Sequence, residues 1–541
     1  MRKPVLALFS FALVASIALG LSACGGSGKE GGTLTGSYAS FPDYLDPALS
    51  YSQEGWTAMY DTYLPLLTYK RANGEEGSQV VPALAESMPK VTNGGKTYEL
   101  TLRKGLKYSD GTPVKASDFK SSIERLFLVS SPGSGFYETI VGAQKFAETK
   151  KGGIGGIETD DKTGRITIDL TGPRGTFVNE LALLFAAVLP SDTPAKNLTN
   201  DPPPATGPYM IAGVEPGRGW SYKRNPYWAS DNGPRIDAVG DGHFDKIEIS
   251  VVRNDSTQVN EIEQNRTMWM QPPPPADLYA EVKDKFEGTQ FRVEHPINVY
   301  YFWMNTQKPP FDDVKVRQAV NYAVDPAALE RIYAGSLAAT HQVLPEGVPG
   351  HKAFNLYPHN MATAKRLLAE ANPSDREITV WTINESPNDE AGAYFQDVLT
   401  KLGFDAKLKT INADNYFAII GNESTPDLDA GWGNWYEDYP HPNDFFEGPL
   451  SGDAIQPTNS YNFARADIPA LNEKIARLAT EPLGPKQEAE YAELDKAYME
   501  EAVWAPYGTS TTTTFVNDEI DLDKVVFNPT FGQSLASFEL K

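Results

Sequence analysis

Within residues 431–446 the chain sets Trp432, Trp435, Tyr436 and Tyr439 around the acids Glu437, Asp438 and Asp444, with glycines at 431 and 433 and prolines at 440 and 442. Carboxylates held among rings are costly to bury alone, so this grouping is chemistry for meeting a cation. Glycine lets a backbone approach a ligand closely. The pairs Tyr439-Pro440 and His441-Pro442 enforce extended or turn conformations. The run therefore reads as a loop forming the wall of a binding cleft. Local composition alone fits equally well a core-edge loop whose tryptophans pack and whose acids face water.

Catalytic readings fail on spacing. Gly95-Lys96-Thr97 looks like the end of a phosphate loop, but Lys90 stands where its first glycine is required. No G-x-S-x-G segment occurs. Glu437 and Asp438 are sequence neighbours, which cannot reliably flank one glycosidic bond at the separation hydrolysis needs. The six histidines form no close pair at helical ligand spacing, and His351 and His359 read as surface or turn residues, so no metal and no cofactor is expected.

The elements that must position the acidic run are spread over 541 residues, too many for one hydrophobic core and enough for two or three domains. The net charge is −23, an acidic balance that repels nucleic acid and anionic lipid and suits cationic ligands. The N-terminus is separate in character. Met1-Arg2-Lys3 is positive, residues 5–21 are apolar, and Leu21-Ser22-Ala23 ends the run in small residues before Cys24, the only cysteine. This stretch resembles a bacterial lipoprotein signal, which implies a signal peptide over 1–23, cleavage before Cys24 and lipid on its thiol. Residues 24–32 then serve as a flexible tether. With the thiol consumed no disulfide is available, and no second apolar stretch approaches membrane-spanning length.

Beyond the tether, Thr33-Leu34-Thr35 predicts a first strand, and prolines keep residues 41–47 extended. Residues 54–69 carry apolar side chains at helical spacing, interrupted by Pro65. Residues 98–103 alternate as a strand, and Ser117 is placed to cap a helix with Phe119, Ile123, Leu126 and Phe127 on one face. Residues 244–252 alternate as a strand, followed by a helix capped by Asp255 or Ser256. Residues 298–305 predict a strand buried on both faces. Asp312 is placed to cap a helix over 314–324, and Asp325-Pro326 stops it and starts another. Helices over 362–371, 391–402, 471–478 and 486–499 alternate with a strand at 378–381, so a sheet covered by helices is expected.

The segment from Leu102 through Arg103-Lys104-Gly105-Leu106-Lys107-Tyr108-Ser109-Asp110-Gly111-Thr112-Pro113 to Phe119 resembles the signature of the peptide-binding group, family 5, of ABC-transporter solute-binding proteins. Further similar stretches are Tyr44-Leu45-Asp46-Pro47, Thr206-Gly207-Pro208-Tyr209, residues 311–325 and the run through Asp438. The likeness covers nearly everything after the leader. It implies an α/β, two-lobed, periplasmic-binding-protein-like fold (type II, cluster C) with a hinge. Lobe I would span 33–295 plus 506–541, with an inserted subdomain at about 70–205, and lobe II would span 296–505. Two crossings make a hinge, and hinged lobes close over ligands.

The resemblance also implies binding without catalysis. Family members hold an extended peptide by main-chain hydrogen bonds, with an acid pairing the peptide's α-ammonium group. Trp435-Tyr436-Glu437-Asp438-Tyr439 aligns with the family's W-x-x-D segment, which makes Asp438 the anchor. Asn434 and Tyr436 take the positions whose main chain faces the peptide, and Phe41 to Tyr44 supply the opposite lobe's edge. Trp432, Trp435 and Tyr507 shape side-chain pockets or pack in the core. Dipeptide-binding relatives fix the ligand carboxylate with a cation after the strand at 378–381, whereas Thr382-Ile383-Asn384-Glu385-Ser386-Pro387 has none, so longer peptides are expected. The expected partners are a peptide, an ABC permease and, through Cys24, the extracytoplasmic face of the cell membrane, with the protein acting as a monomer. Alternatives are another solute on the same fold, such as a sugar, opine or metal chelate, or a sensor lipoprotein that feeds no transporter.

Overall fold

The computed structural model describes residues 31–228 and 236–541. The expected signal peptide, Cys24 and most of the tether lie outside these residues. Two mixed sheets carry the architecture. In the first, strand Thr33–Tyr38 is central and pairs in parallel with Lys246–Val251 and with Trp269–Met270. Strands Gly219–Arg224 and Tyr209–Glu215 extend one side, and Thr512–Val516 and Phe291–Glu294 the other. Gly36 is required here, because a Cβ would lie 2.9 Å from the Trp269 ring and 2.8 Å from Ile249.

A separate four-stranded antiparallel sheet, Lys90–Thr92, Thr97–Thr101, Arg165–Asp169 and Ile157–Asp160, is attached to this lobe. Helix Ala116–Leu128 buries Phe119, Ile123, Leu126 and Phe127 against it, as its spacing predicts. Its cap is Lys115 rather than Ser117. The Asp118 carboxylate turns back to accept from the Lys115 N–H, while Ser117 bonds Asp161. Arg125 on this helix grips Asp46 through two bonds of 2.9 and 2.6 Å, fixing the 41–50 segment to the lobe.

The second sheet runs Leu337–Ala339, Trp504–Ser510, Asn298–Met304, Ala430–Tyr436, Glu377–Ile383, Asp405–Ile411. Asn298–Met304 is flanked on both sides and buried at every residue, as its continuous apolar run predicts. Helices Val314–Ala323, Met361–Ala371, Asn388–Leu402 and Pro485–Glu501 accompany it. Each lobe has its own apolar core, with a small third cluster around Phe286, Phe291 and Phe515 in the first.

Several boundaries differ from the sequence expectation. The helix expected over 54–69 is Gln53–Met59 only, and Leu67–Tyr69 is a strand paired with Val80–Pro82, so sheet pairing overrides the helical spacing. The caps are Asn254, one residue before the expected Asp255, and Asp313, one residue after the expected Asp312, because their side-chain oxygens accept from the N–H of Thr257 and of Lys315. The return crossing lies at Thr511, beyond the boundary drawn at 506. Pro506 reads as a strand breaker, yet it sits inside strand Trp504–Ser510, where an irregularity in register opposite Tyr300 and Tyr301 accommodates it. The two crossings are tied together: the Asn298 amide donates to the Ser510 carbonyl at 3.1 Å and accepts from its N–H at 2.8 Å.

Candidate functional site

The residues at 430–436 form a strand of the second sheet, not a loop. Their glycines serve packing. A Cβ on Gly431 would meet the Trp303 ring at 2.7 Å, and one on Gly433 the Tyr301 ring at 2.9 Å, so neighbouring rings occupy the space expected for a ligand. Trp432 and Tyr507 are core residues joined by an indole N–H to hydroxyl bond of 3.0 Å. After Tyr436 the chain leaves the sheet and turns toward the first lobe, and this exit delivers Glu437, Asp438 and Tyr439 to the interface between lobes.

Three cavities lie along that interface. One of about 400 Å³ is lined by Tyr51, Phe136 and Arg174 of lobe I and by Trp435, Asp438 and Tyr461 of lobe II, among others. A small one of about 80 Å³ lies between Tyr51, Gln53, Trp56 and Thr530 on one side and Tyr436, Glu437 and Asp438 on the other. The third, about 530 Å³, is lined by Gln53, Glu54, Tyr300, Glu385, Tyr436 and Ser510 among others. The first two share Tyr51 and Asp438, and the last two share Gln53 and Tyr436, so they form one row.

Asp438 stands where the row narrows. Its carboxylate, 8% exposed, accepts from the Tyr51 hydroxyl at 2.7 Å, a bond that spans the lobes. Burial pushes its pKa up to about 7 against the lowering effect of Tyr51. Glu437, 4% exposed, accepts from the Thr530 hydroxyl of lobe I at 3.0 Å. Burial and then the charge of Asp438 push it to about 8, with Thr530 opposing. Asp444 accepts from the Trp435 indole and the Asp438 N–H, both at 3.0 Å, and burial and Asp438 hold its pKa well above the carboxylate range. Arg174 is the one base among the described residues lining the row, and it is already engaged by Glu180 at 2.6 Å and by Glu447 across the interface at 3.1 Å.

Of the residues singled out in the sequence, Asp438, Trp435, Tyr436 and Tyr439 thus come together at the row. Tyr439 is buried against lobe I, with its ring 6.1 Å from Phe136. Asn434 lies opposite Tyr300 in the sheet, Phe41 packs edge-on to Trp220 at 5.5 Å, and Tyr44 follows Asp43 on the same segment. None of the three lines these cavities. Lobe I instead contributes Tyr51, Gln53, Trp56, Phe136 and Thr530, which only the cross-lobe bonds and cavities reveal. Among the described residues no group of acids, histidines or cysteines has the geometry to hold a metal ion.

A family model described as bacterial extracellular solute-binding proteins, family 5, matches residues 79–456. The chain belongs to this family. The Escherichia coli dipeptide-binding protein is 28% identical over 417 residues, covering 71% of this chain and 73% of that one. The heme-binding protein A of Haemophilus influenzae is 28% identical over 467 residues, covering 81% and 80%. Among solved structures, the clavulanic acid biosynthesis oligopeptide binding protein 2 superposes with a TM-score of 0.86 at 23% identity, over 95% of this chain and 96% of that one. The Haemophilus influenzae OppA complex with RPPGFSPFR gives 0.74 at 19% identity, over 95% and 100%. The fold is therefore the two-lobed one of family 5, whose members are transport binding proteins and not enzymes.

Proposed function

We propose that this family 5 protein is a peptide receptor of an ABC importer. It closes on an extended peptide along the row of interlobe cavities and seats the peptide's α-ammonium group at Asp438. The observation that carries this reading is the Asp438 carboxylate, buried between lobes and met, among the described residues, by the neutral hydroxyl of Tyr51. A carboxylate in that setting gains most from a cation with its own N–H donors. Three linked cavities of about 400, 80 and 530 Å³ suit an elongated ligand better than a compact one. Arg174, the one base lining the row among the described residues, is engaged by two carboxylates, which favours peptides longer than two residues, whose C-terminus needs no fixed cation. Names of relatives support the same reading, while the heme-binding relative keeps a non-peptide solute as the alternative.

Mass spectrometry of ligand retained after purification tests it. Peptides of three or more residues are expected, and a retained opine, sugar or heme would replace the reading. Delivery to a permease predicts loss of peptide uptake when the gene is deleted. Anchoring at Cys24 predicts that Cys24→Ala releases the protein from the extracytoplasmic face of the membrane, read by fractionation.

A further inference from the structure

Buried carboxylates elsewhere in the protein show what Glu437 lacks, a charged partner or several donors; even Glu180, whose Oε2 also has no donor among the described residues, is held by the Arg174 guanidinium. Asp46 is held by both arms of the Arg125 guanidinium, and Asp61 by Arg71, the Ser534 hydroxyl and the Ala536 N–H. Asp495 accepts from Gln342 and from the Val343 and Leu344 N–H groups, and Glu294 from Arg292 and Thr514. Glu437 is as deeply buried, yet it has the Thr530 hydroxyl on Oε1 and no donor among the described residues on Oε2. A buried acceptor without a donor is costly and calls for an explanation. Glu437 lines the same small cavity as Asp438, between Trp56, Tyr436 and Thr530. That cavity, at about 80 Å³, has room for an ammonium head.

We infer that Glu437 is a second carboxylate of the cation seat, so that one ligand ammonium in the small cavity donates to Glu437 Oε2 and to Asp438 together. An ammonium group carries three N–H donors on one centre and can serve both acids at once. The inference rests on the peptide reading for the identity of the cation and adds a residue to its anchor. With two carboxylates around one positive charge, the ligand displaces a proton from the pair as it enters. The titratable groups facing the pair are Asp444, Tyr436 and Tyr461 from lobe II and Tyr51 and Tyr69 from lobe I.

The test uses the full chain, wild type and Glu437→Gln, with tetra-alanine, N-acetyl-tetra-alanine and putrescine as probes in titration calorimetry. Two buffers of different ionisation enthalpy report the protons released. Expected is tetra-alanine binding to the wild type with proton release and loss of binding on acetylation. Glu437→Gln should weaken tetra-alanine about tenfold or more and remove the proton release. A purely structural glutamate would not change the proton count. Unfolding of Glu437→Gln at alkaline pH is expected to need more denaturant than wild type, which separates lost binding from lost folding. Tetra-alanine binding that Glu437→Gln leaves unchanged in affinity and proton release overturns the seat and leaves the peptide reading standing. Putrescine binding that needs Glu437, with no peptide bound, overturns the peptide reading and keeps the seat. Binding of none of the probes overturns both.

Discussion

Asp438 and Tyr51 come from opposite lobes, so the bond between them exists only when the lobes meet. A ligand ammonium entering there exchanges a neutral hydroxyl donor for a charged one, and charge-assisted bonds are about twice as strong. Asp438→Asn keeps the shape and removes the charge. Peptide affinity is expected to fall by well over tenfold, the scale seen for truncating a buried ion pair, and equilibrium titration would show it. An unchanged affinity removes Asp438 from the site. The same burial has a consequence for stability in the ligand-free protein. The carboxyls of Glu437 and Asp438 are raised from 4.5 to about 8 and from 3.8 to about 7. The folded chain therefore holds more protons than the unfolded chain between about pH 4 and 8, and stability contributed by these groups falls as pH rises through that window. Glu437→Gln removes part of that loss. Its denaturation midpoint is expected to fall less than that of wild type between pH 5 and 9, and parallel curves would contradict the assignment.

At the scale of elements, strand Ala430–Tyr436 does two jobs. Its first half packs in the core of lobe II, and its end releases the acids into the interface. Gly431 shows how tight the first half is, since a Cβ would sit 2.6 Å from the Trp381 carbonyl oxygen. Gly431→Ala is expected to destabilise the protein by about 1–3 kcal/mol, the usual cost of overpacking, read from denaturant unfolding. The same strand explains what could be read in advance. Asn298–Met304 and helix Ala116–Leu128 were legible because period and burial agree along their whole length. Residues 431–436 were not, because glycines that admit the rings of Trp303 and Tyr301 look locally identical to glycines that admit a ligand. The place of Asp438 beside the interlobe cavities was legible through its W-x-x-D setting. Its lobe I partner Tyr51, 387 positions away, was not, since nothing local marks a tyrosine as a cross-lobe donor. In the sequence Glu437 reads as one of three acids that could meet a cation or as half of a catalytic pair, and its missing donor is a property of the folded interface.

On the peptide-receptor reading, the whole molecule works only if its halves part and meet. Two strands of chain cross between them, at residues 295–297 and at Thr511, and the Asn298 amide holds these crossings side by side as one hinge. Away from the hinge the lobes touch at Arg174 with Glu447 and at Gly175, whose N–H donates to the Ala479 carbonyl at 2.8 Å. A Cβ on Gly175 would lie 2.1 Å from the Glu481 carbonyl oxygen, a backbone atom of the opposite lobe. Gly175→Ala therefore strains only the closed arrangement and leaves each lobe's core untouched. Binding energy must then be spent on reaching the closed state, and apparent affinity drops by the fraction of molecules that can close. The expected outcome is a larger radius of gyration in small-angle scattering with ligand present, together with weaker peptide binding carried mainly by a faster off-rate. Denaturant unfolding should stay close to wild type. If the variant scatters and binds as wild type does, contact at Gly175 is not part of closure and the lobes must meet elsewhere when the site is filled.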